Sequence, residues 1–410
     1  MVSTSAPSTA YEPGPDEIDG WARELETLHA RIVPRFERAE PRRRALAYLK
    51  GLLSATERKN GWQLAEEAGE RTPDGMQRLL NASRWDADGV RDDLVAYVRE
   101  HLADPAAILV VDETGFPKKG TKSAGVKRQY TGTVGKRENC QIGVFVAYSS
   151  WSPAPSQVLV DRELYLPKEW ANDHARRAEA GVPEEVAFAT KPELARRMLE
   201  RVRAAGLPAA WVTGDTVYGG SPAFCAWLEE QRQPYVLAIA ANDGVELPYG
   251  ATTMHVLPDE SAQYALDPPD WRRLSAGDGA KGPRLYDWAL VPLAAPSTPG
   301  FEQALLIRRP LDAADDPKQL AYYLTYAPVG TLFETLVAVA GRRWTVEESL
   351  QAAKGEVGLD HYEVRHYHGW YRHITLAMLA LAYLAVVRSR LPGAALKGGR
   401  WWRNWLHTTS

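Results

Sequence analysis

The chain has 410 residues, 49 Lys and Arg against 52 Asp and Glu, a formal net charge of −3 and 45% hydrophobic residues, which suits roughly two or three domains with ordinary cores. The mild acidity weighs against a uniformly basic nucleic-acid binder, and two cysteines, Cys140 and Cys225, support neither a zinc cluster nor a disulfide framework and fit a reducing cytoplasm. The longest apolar stretch, Ile374 to Val387, is interrupted by Thr375 and is shorter than a bilayer span, so it reads as a buried helix and no membrane is expected.

In chain order, residues 1–15 are rich in Ser, Pro and Ala, without the basic start or apolar core of a signal peptide, and read as a disordered tail. Residues 16–104 read as a small helical domain. Ala45 to Leu49 and Leu94 to Val98 carry its apolar face, and Gly69 to Asp74 and Asp86 to Gly89 supply turns. From Arg31 to Trp62 this domain carries nine Lys and Arg against three acids; Arg42, Arg43, Arg44, Lys50, Arg58 and Lys59 are candidate phosphate contacts.

Residues 105–240 change to a strand pattern, with runs at Ile108 to Glu113, Gln129 to Gly132, Gln141 to Ser150 and Val158 to Tyr165. Gly132, Gly135 and Lys136 to Asn139 read as a hairpin turn. Helices near Lys191 to Ala205 and Pro222 to Gln231 alternate with strands ending at Gly214 and Ala240, which predicts a mixed sheet with crossing helices in an α/β (α+β) fold. Residues 241–320 lose helical periodicity and carry twelve acids against seven bases; they read as a β-rich insertion. Residues 321–390 return to the core with a strand at Ala321 to Tyr326 and helices over Thr331 to Val357 and Tyr371 to Ser389. Residues 391–410 form a basic tail with Trp401, Trp402 and Trp405.

Three acids stand out. Asp112 follows the apolar run Ile108 to Val111, and Asp215 closes Ala210 to Gly214, so each is expected at the C-terminal tip of a buried strand. Glu347 lies on a helix, with Arg343 four residues before it and Lys354 seven after it, all on one face, whereas Glu348 is rotated by about 100°. Three carboxylates suit two hard divalent cations, Mg²⁺ or Mn²⁺, which clamp the attacking and leaving oxygens of a phosphodiester. From Asp112 to Arg137 seven bases face two acids, and Lys118, Lys119, Lys127 and Arg128 are candidate contacts to a nucleic-acid backbone. His361, His366, His368 and His373 lack the spacing of a zinc site and read as capping or phosphate-contacting residues.

The segments Val111 to Gly120, Gly125 to Thr133, Gly214 to Gly219 and Arg342 to Lys354, with Asn60 to Glu66, Gly358 to Arg365 and Trp370 to Ala377, resemble the DDE transposases of bacterial insertion sequences, specifically the IS701 family related to IS4. The resemblance runs from about residue 20 to residue 390. It implies an RNase H-like core with acids on the first strand, the fourth strand and a late helix, and an insertion between the second and third acids. It places Asp112, Asp215 and Glu347 on the catalytic positions, and Arg343 and Lys354 on the Arg and Lys of a Tyr-Arg-Glu-Lys signature whose Tyr is Ala340 here. The implied activity is metal-dependent cut-and-paste cleavage and strand transfer on double-stranded DNA. Terminal inverted repeats would be bound, and a homodimer would form the synaptic complex. A domesticated DNA-binding regulator and a metal-dependent nuclease are the alternatives on the same fold.

Overall fold

A computed structural model describes residues 13–151, 156–249, 252–260, 270–279, 282–312 and 319–391. Most of the N-terminal tail and the tail tryptophans fall outside them. The first five helices are α1 (Pro15–Ile32), α2 (Ala39–Leu53), α3 (Gly61–Glu67), α4 (Asp74–Asn81) and α5 (Ala87–Leu102). Their starts are written locally: the Asn60 side chain accepts from the backbone N–H groups of Trp62 and Gln63, and Asp86 accepts from those of Asp88 and Gly89. The next elements are β1 (Ile108–Pro117), β2 (Lys127–Thr131), β3 (Lys136–Ser150), β4 (Ser156–Tyr165), α6 (Lys168–Ala171), α7 (His174–Glu179), α8 (Lys191–Ala204), β5 (Trp211–Gly214), α9 (Thr216–Gly219), α10 (Pro222–Glu230) and β6 (Tyr235–Ile239). A hairpin, β7 (Val245–Tyr249) and β8 (Thr252–Val256), precedes β9 (Arg272–Gly279), β10 (Gly282–Pro292), β11 (Phe301–Arg309) and β12 (Ala321–Pro328). Helices α11 (Phe333–Arg342), α12 (Trp344–Val357) and α13 (Tyr367–Ser389) close the described chain.

The central sheet runs β2-β3-β1-β5-β6-β12-β11-β10-β9, with β4 also paired to β3. β1, β5 and β6 are mutually parallel and their other neighbours are antiparallel, which gives the mixed sheet of the expected RNase H-like core. Asp215 follows the fifth strand in chain order. The expected fourth position becomes the fifth because the β2 arm comes between β1 and β3 in the chain.

Four expectations change in detail. β1 does not end near Asp112 but continues to Pro117, because β3 pairs with it along its whole length while the parallel partner β5 stops at Gly214. The hairpin turn is confined to Gly132–Gly135, with Gly135 at φ +67°, and Lys136 to Asn139 already belong to β3. The acidic stretch 241–320 adds β9, β10 and β11 to the edge of the central sheet through β12, and β7–β8 forms a separate two-stranded sheet. Arg343 is the junction between α11 and α12 rather than an interior helical residue.

α13 is apolar on every side because every side is covered: it packs on β4 and on α2, α4, α5 and α12. By length and composition it would cross a bilayer, yet it is buried in the fold. The N-terminal helices therefore share one apolar core with the sheet, from Trp21 to Leu391. A polar network crosses the same joint. Asp161 and Arg162 on β4 are fully buried; Arg201 donates to Asp161 at 2.9 Å and to Glu163 at 2.7 Å. Arg162 donates to Asp88 at 2.8 Å and to Thr375 at 2.9 Å, and its guanidinium lies 4.9 Å from the Tyr371 ring. One arginine thus ties α5, β4 and α13 together.

Candidate active site

Parallel pairing of β1 with β5 ends at the register pair Val111 and Gly214, so Asp112 and Asp215 are the next residues on the two chains. The sheet opens there, and the carboxylates emerge side by side. Asp215 also caps α9, accepting from the Val217 N–H at 2.9 Å, while Asp112 accepts from the Glu113 N–H at 2.7 Å. α9 can lie against β6 because residue 219 is glycine: a Cβ there would come within 2.0 Å of the Ala238 carbonyl oxygen. Gly219→Ala is expected to destabilise the chain by about 1–3 kcal/mol, read as a lower melting midpoint, and to disturb the Asp215 cap.

Asp112, Asp215 and Glu113 each present an oxygen within 4.8 Å of the others. Consecutive strand residues ordinarily face opposite sides, but the edge of β1 is free beyond Val111, where Glu113 reaches Asp215. Glu113 is fixed by the Lys191 ammonium on one oxygen and by the Tyr218 hydroxyl on the other at 2.9 Å. Burial and the neighbouring carboxylates of Asp215 and Glu113 push the Asp112 carboxyl up to about 8. Asp215 is raised by burial and by Glu113, with Arg343 and Lys191 opposing. Negative charge is thus packed closely with too little cation beside it, an arrangement that suits oxygen-liganded divalent metal.

The acids open into a cleft of about 1030 Å³ that is also lined by Arg343, Glu347, Gln351, Lys354 and Lys191. Glu347 stands outside the 4.8 Å grouping; its carboxylate is half-exposed and lies 3.7 Å from the Arg343 guanidinium. Glu348 faces a different cavity, beside Gln157 and Arg388. Lys354 donates to Thr114 at 2.7 Å and to Thr133 at 3.2 Å, which pins the β2–β3 turn to β1. Burial lowers its pKa.

The other expected basic contacts are placed elsewhere. Lys118, Lys119, Lys127 and Arg128 do not line the cleft. Lys118 lies 3.5 Å over the Tyr362 ring and burial lowers its pKa to about 8; Lys127 pairs with Glu169 at 2.5 Å, and Lys119 and Arg128 are exposed. Arg42 donates to the Phe36 carbonyl and Arg44 to Glu70 and Glu40, so of these three arginines Arg43 alone is an exposed side chain. His373 is buried between the Tyr48 hydroxyl and the Gly358 carbonyl, and His361 accepts from the Lys59 N–H; both brace the joint. Sequence reasoning missed Glu113, Lys191 and Tyr218. Glu113 adjoins Asp112, but its partners lie 78 and 105 residues away and carry no local pattern.

The crowding has a measurable consequence without metal. Asp112 holds its proton in the folded chain up to about pH 8 but loses it near pH 3.8 when unfolded, so the folded state binds more protons between those values and stability falls as pH rises through them. Asp112→Asn is expected to flatten this decline and to raise metal-free stability at pH 8 by about 0.5–2 kcal/mol, read by denaturant melts across pH.

Residues 31–255 match the family model described as a DDE superfamily endonuclease. The chain is also similar to a protein from Microchaete diplosiphon described as a probable transposase for insertion sequence element IS701, with 32% identity over 222 residues, covering 54% of this chain and 52% of that protein. The chain thus spans about half the length of that curated relative. Asp112 and Asp215 fall inside the family match, and Glu347, Arg343 and Lys354 lie beyond its end. With more than half of its residues matched, and with two aspartates side by side where β1 and β5 part, this chain belongs to the DDE superfamily of endonucleases.

Proposed function

We propose that the chain is a transposase that binds the terminal inverted repeats of its own element, cuts the DNA at the element ends and joins them to a target. The observation that carries this reading is the convergence of Asp112 and Asp215 on a cleft shared with Glu347, Arg343 and Lys354. Two divalent cations, Mg²⁺ or Mn²⁺, held by Asp112, Asp215 and Glu347, would supply Lewis-acid polarisation of the phosphodiester and a more acidic attacking water. Asp112 must give up its proton to act as a ligand, while Lys191 pairs with Glu113 and offsets its charge beside the two aspartates. Arg343 and Lys354 would meet phosphate oxygens of the strand. Water attacks the end phosphodiester, and the freed 3′-hydroxyl, held in the same cleft, attacks target DNA; no covalent enzyme intermediate is required.

Double-stranded DNA is the partner on this reading, at the bacterial nucleoid in the cytoplasm, with a homodimer pairing two ends. The N-terminal helices, with Arg43 exposed, would recognise the repeat, and Lys119 and Arg128 would contact flanking backbone. The test compares Mg²⁺-dependent cleavage of a duplex carrying the DNA that borders the gene with a scrambled duplex and an RNA–DNA hybrid. Cleavage confined to the bordering duplex, at the repeat end, supports the reading. Equal cleavage of all three favours a general nuclease, and binding without cleavage favours a DNA-binding regulator.

A further inference from the structure

Three arginines that form no salt bridge among the described residues, Arg284, Arg308 and Arg342, lie beside the Arg343 end of the cleft, outside the stretch matched by the family. Arg343, which lines the cleft, lies 4.5 Å from the Trp344 ring, and Arg308 from β11 lies 5.5 Å from the same ring and 4.6 Å from that of Tyr286. Arg284 from β10 reaches the carbonyl oxygens of Ala276 and Gly341 at 3.4 Å, beside Arg342, whose guanidinium lies 3.5 Å over the exposed Trp151 ring. Among the described residues no carboxylate forms a salt bridge with Arg284, Arg308 or Arg342. Buried Nε and Nη1 of Arg308 and Nε of Arg284 have no hydrogen-bond partner. Burial lowers the pKa of Arg342, with Glu348 opposing and Arg284 adding repulsion.

The two faces of this sheet edge differ. On one face Asp287 of β10 stands opposite Arg309 and pairs with it at 3.5 Å and with Arg273 at 3.0 Å. On the other, the strand alternation places Arg308 opposite Trp288, next to Tyr286, and offers rings instead of acids. Aromatic faces hold guanidinium groups flat and weakly hydrated without neutralising them. Leaving such donors unpaired is costly unless a ligand meets them. The three side chains stay part-exposed, so an anion can meet their outer donors, and because Arg308 shares the Trp344 ring with Arg343 that anion belongs to whatever occupies the cleft.

We propose that Arg284, Arg308 and Arg342 form a phosphate-binding track for the DNA backbone, carrying the duplex from the metal-binding acids across the β9–β11 edge. This rests on the DNA-cleaving reading and extends it to a part of the chain beyond the family match. The arginines read phosphate, so their contribution is independent of base sequence.

The experiment measures anisotropy of a fluorescein-labelled linear duplex with EDTA present, between about 50 and 200 mM salt, for the wild-type chain, Arg284→Gln/Arg308→Gln, Arg342→Gln and the exposed control Arg196→Gln. Each lost phosphate contact lowers the slope of log K against log salt by about 0.9, so the double variant is expected to lose about two units and to bind at least about tenfold more weakly. Arg196→Gln is expected to match the wild type. Thermal melting separates folding from binding: removing unpaired, mutually repelling charges should leave the melting midpoint unchanged or raised. A lowered midpoint with unchanged affinity and slope marks structural residues and overturns the proposal. Wild-type binding that is salt-dependent but identical in all variants overturns the track alone. A wild-type chain with no salt-dependent DNA affinity overturns the DNA-cleaving reading as well.

Discussion

Asp112→Asn is expected to reduce Mg²⁺-dependent DNA cleavage by about a thousandfold or more while leaving metal-free DNA binding within about twofold of the wild type. The substitution keeps the side-chain shape and the hydrogen bond that Asp112 accepts from the Glu113 N–H, so β1 keeps its pairing with β3. What it removes is a carboxylate oxygen within 4.8 Å of one on Asp215, and an amide oxygen is a far poorer ligand for a hard cation. Asp215→Asn should act alike, with an added cost because its carboxylate caps α9. On the third element the contrast lies between neighbours: Glu347→Gln is expected to abolish cleavage, whereas Glu348→Gln, which faces the cavity beside Gln157, should leave it within a few-fold. Equal loss in both glutamate variants would remove the helical-phase argument. Gel-based cleavage of end-labelled duplex measures all four.

Arg162→Ala is expected to destabilise the chain by about 3–5 kcal/mol, a large share of the roughly 5–15 kcal/mol that holds a typical domain folded. Arg162 is fully buried and lies 3.7 Å from Asp161, which is also fully buried; it donates to Asp88 on α5 and to Thr375 on α13. Truncation leaves Asp161 to Arg201 and the more distant Arg91, and it opens a cavity against the Tyr371 ring. Because the arginine joins the N-terminal helices to the sheet, limited proteolysis should cut first around α5 in the variant. A melting midpoint equal to that of the wild type would show that the network adds nothing to the joint.

The two aspartates were legible because each ends an apolar run, which is what a buried parallel strand looks like in one dimension. The helical phase at Glu347 was legible for the same reason of local period. The cleft's inner shell was less so: Glu113 is placed by Lys191 and Tyr218, and only the ending of β5 lets it turn toward Asp215. Charge counts found the basic stretches but not their partners. Lys118 is taken by Tyr362, Lys127 by Glu169 and Arg44 by Glu70, contacts set by packing between distant segments. The stretch 241–320 read correctly as β-rich, yet its pairing with the central sheet depends on β12 and β6, across a register that short strands with mixed alternation do not encode.

The most direct measurement is titration of Mn²⁺ into the purified chain by calorimetry in two buffers of different ionisation enthalpy, for the wild type, Asp112→Asn/Asp215→Asn and Glu347→Gln. Saturable binding that releases protons near pH 7 is expected, because the raised Asp112 carboxyl must ionise to become a ligand. Binding should be lost in the double variant and weakened in Glu347→Gln. Unchanged affinity and proton release in the double variant would contradict the assignment of the metal site to the carboxylates where β1 and β5 part.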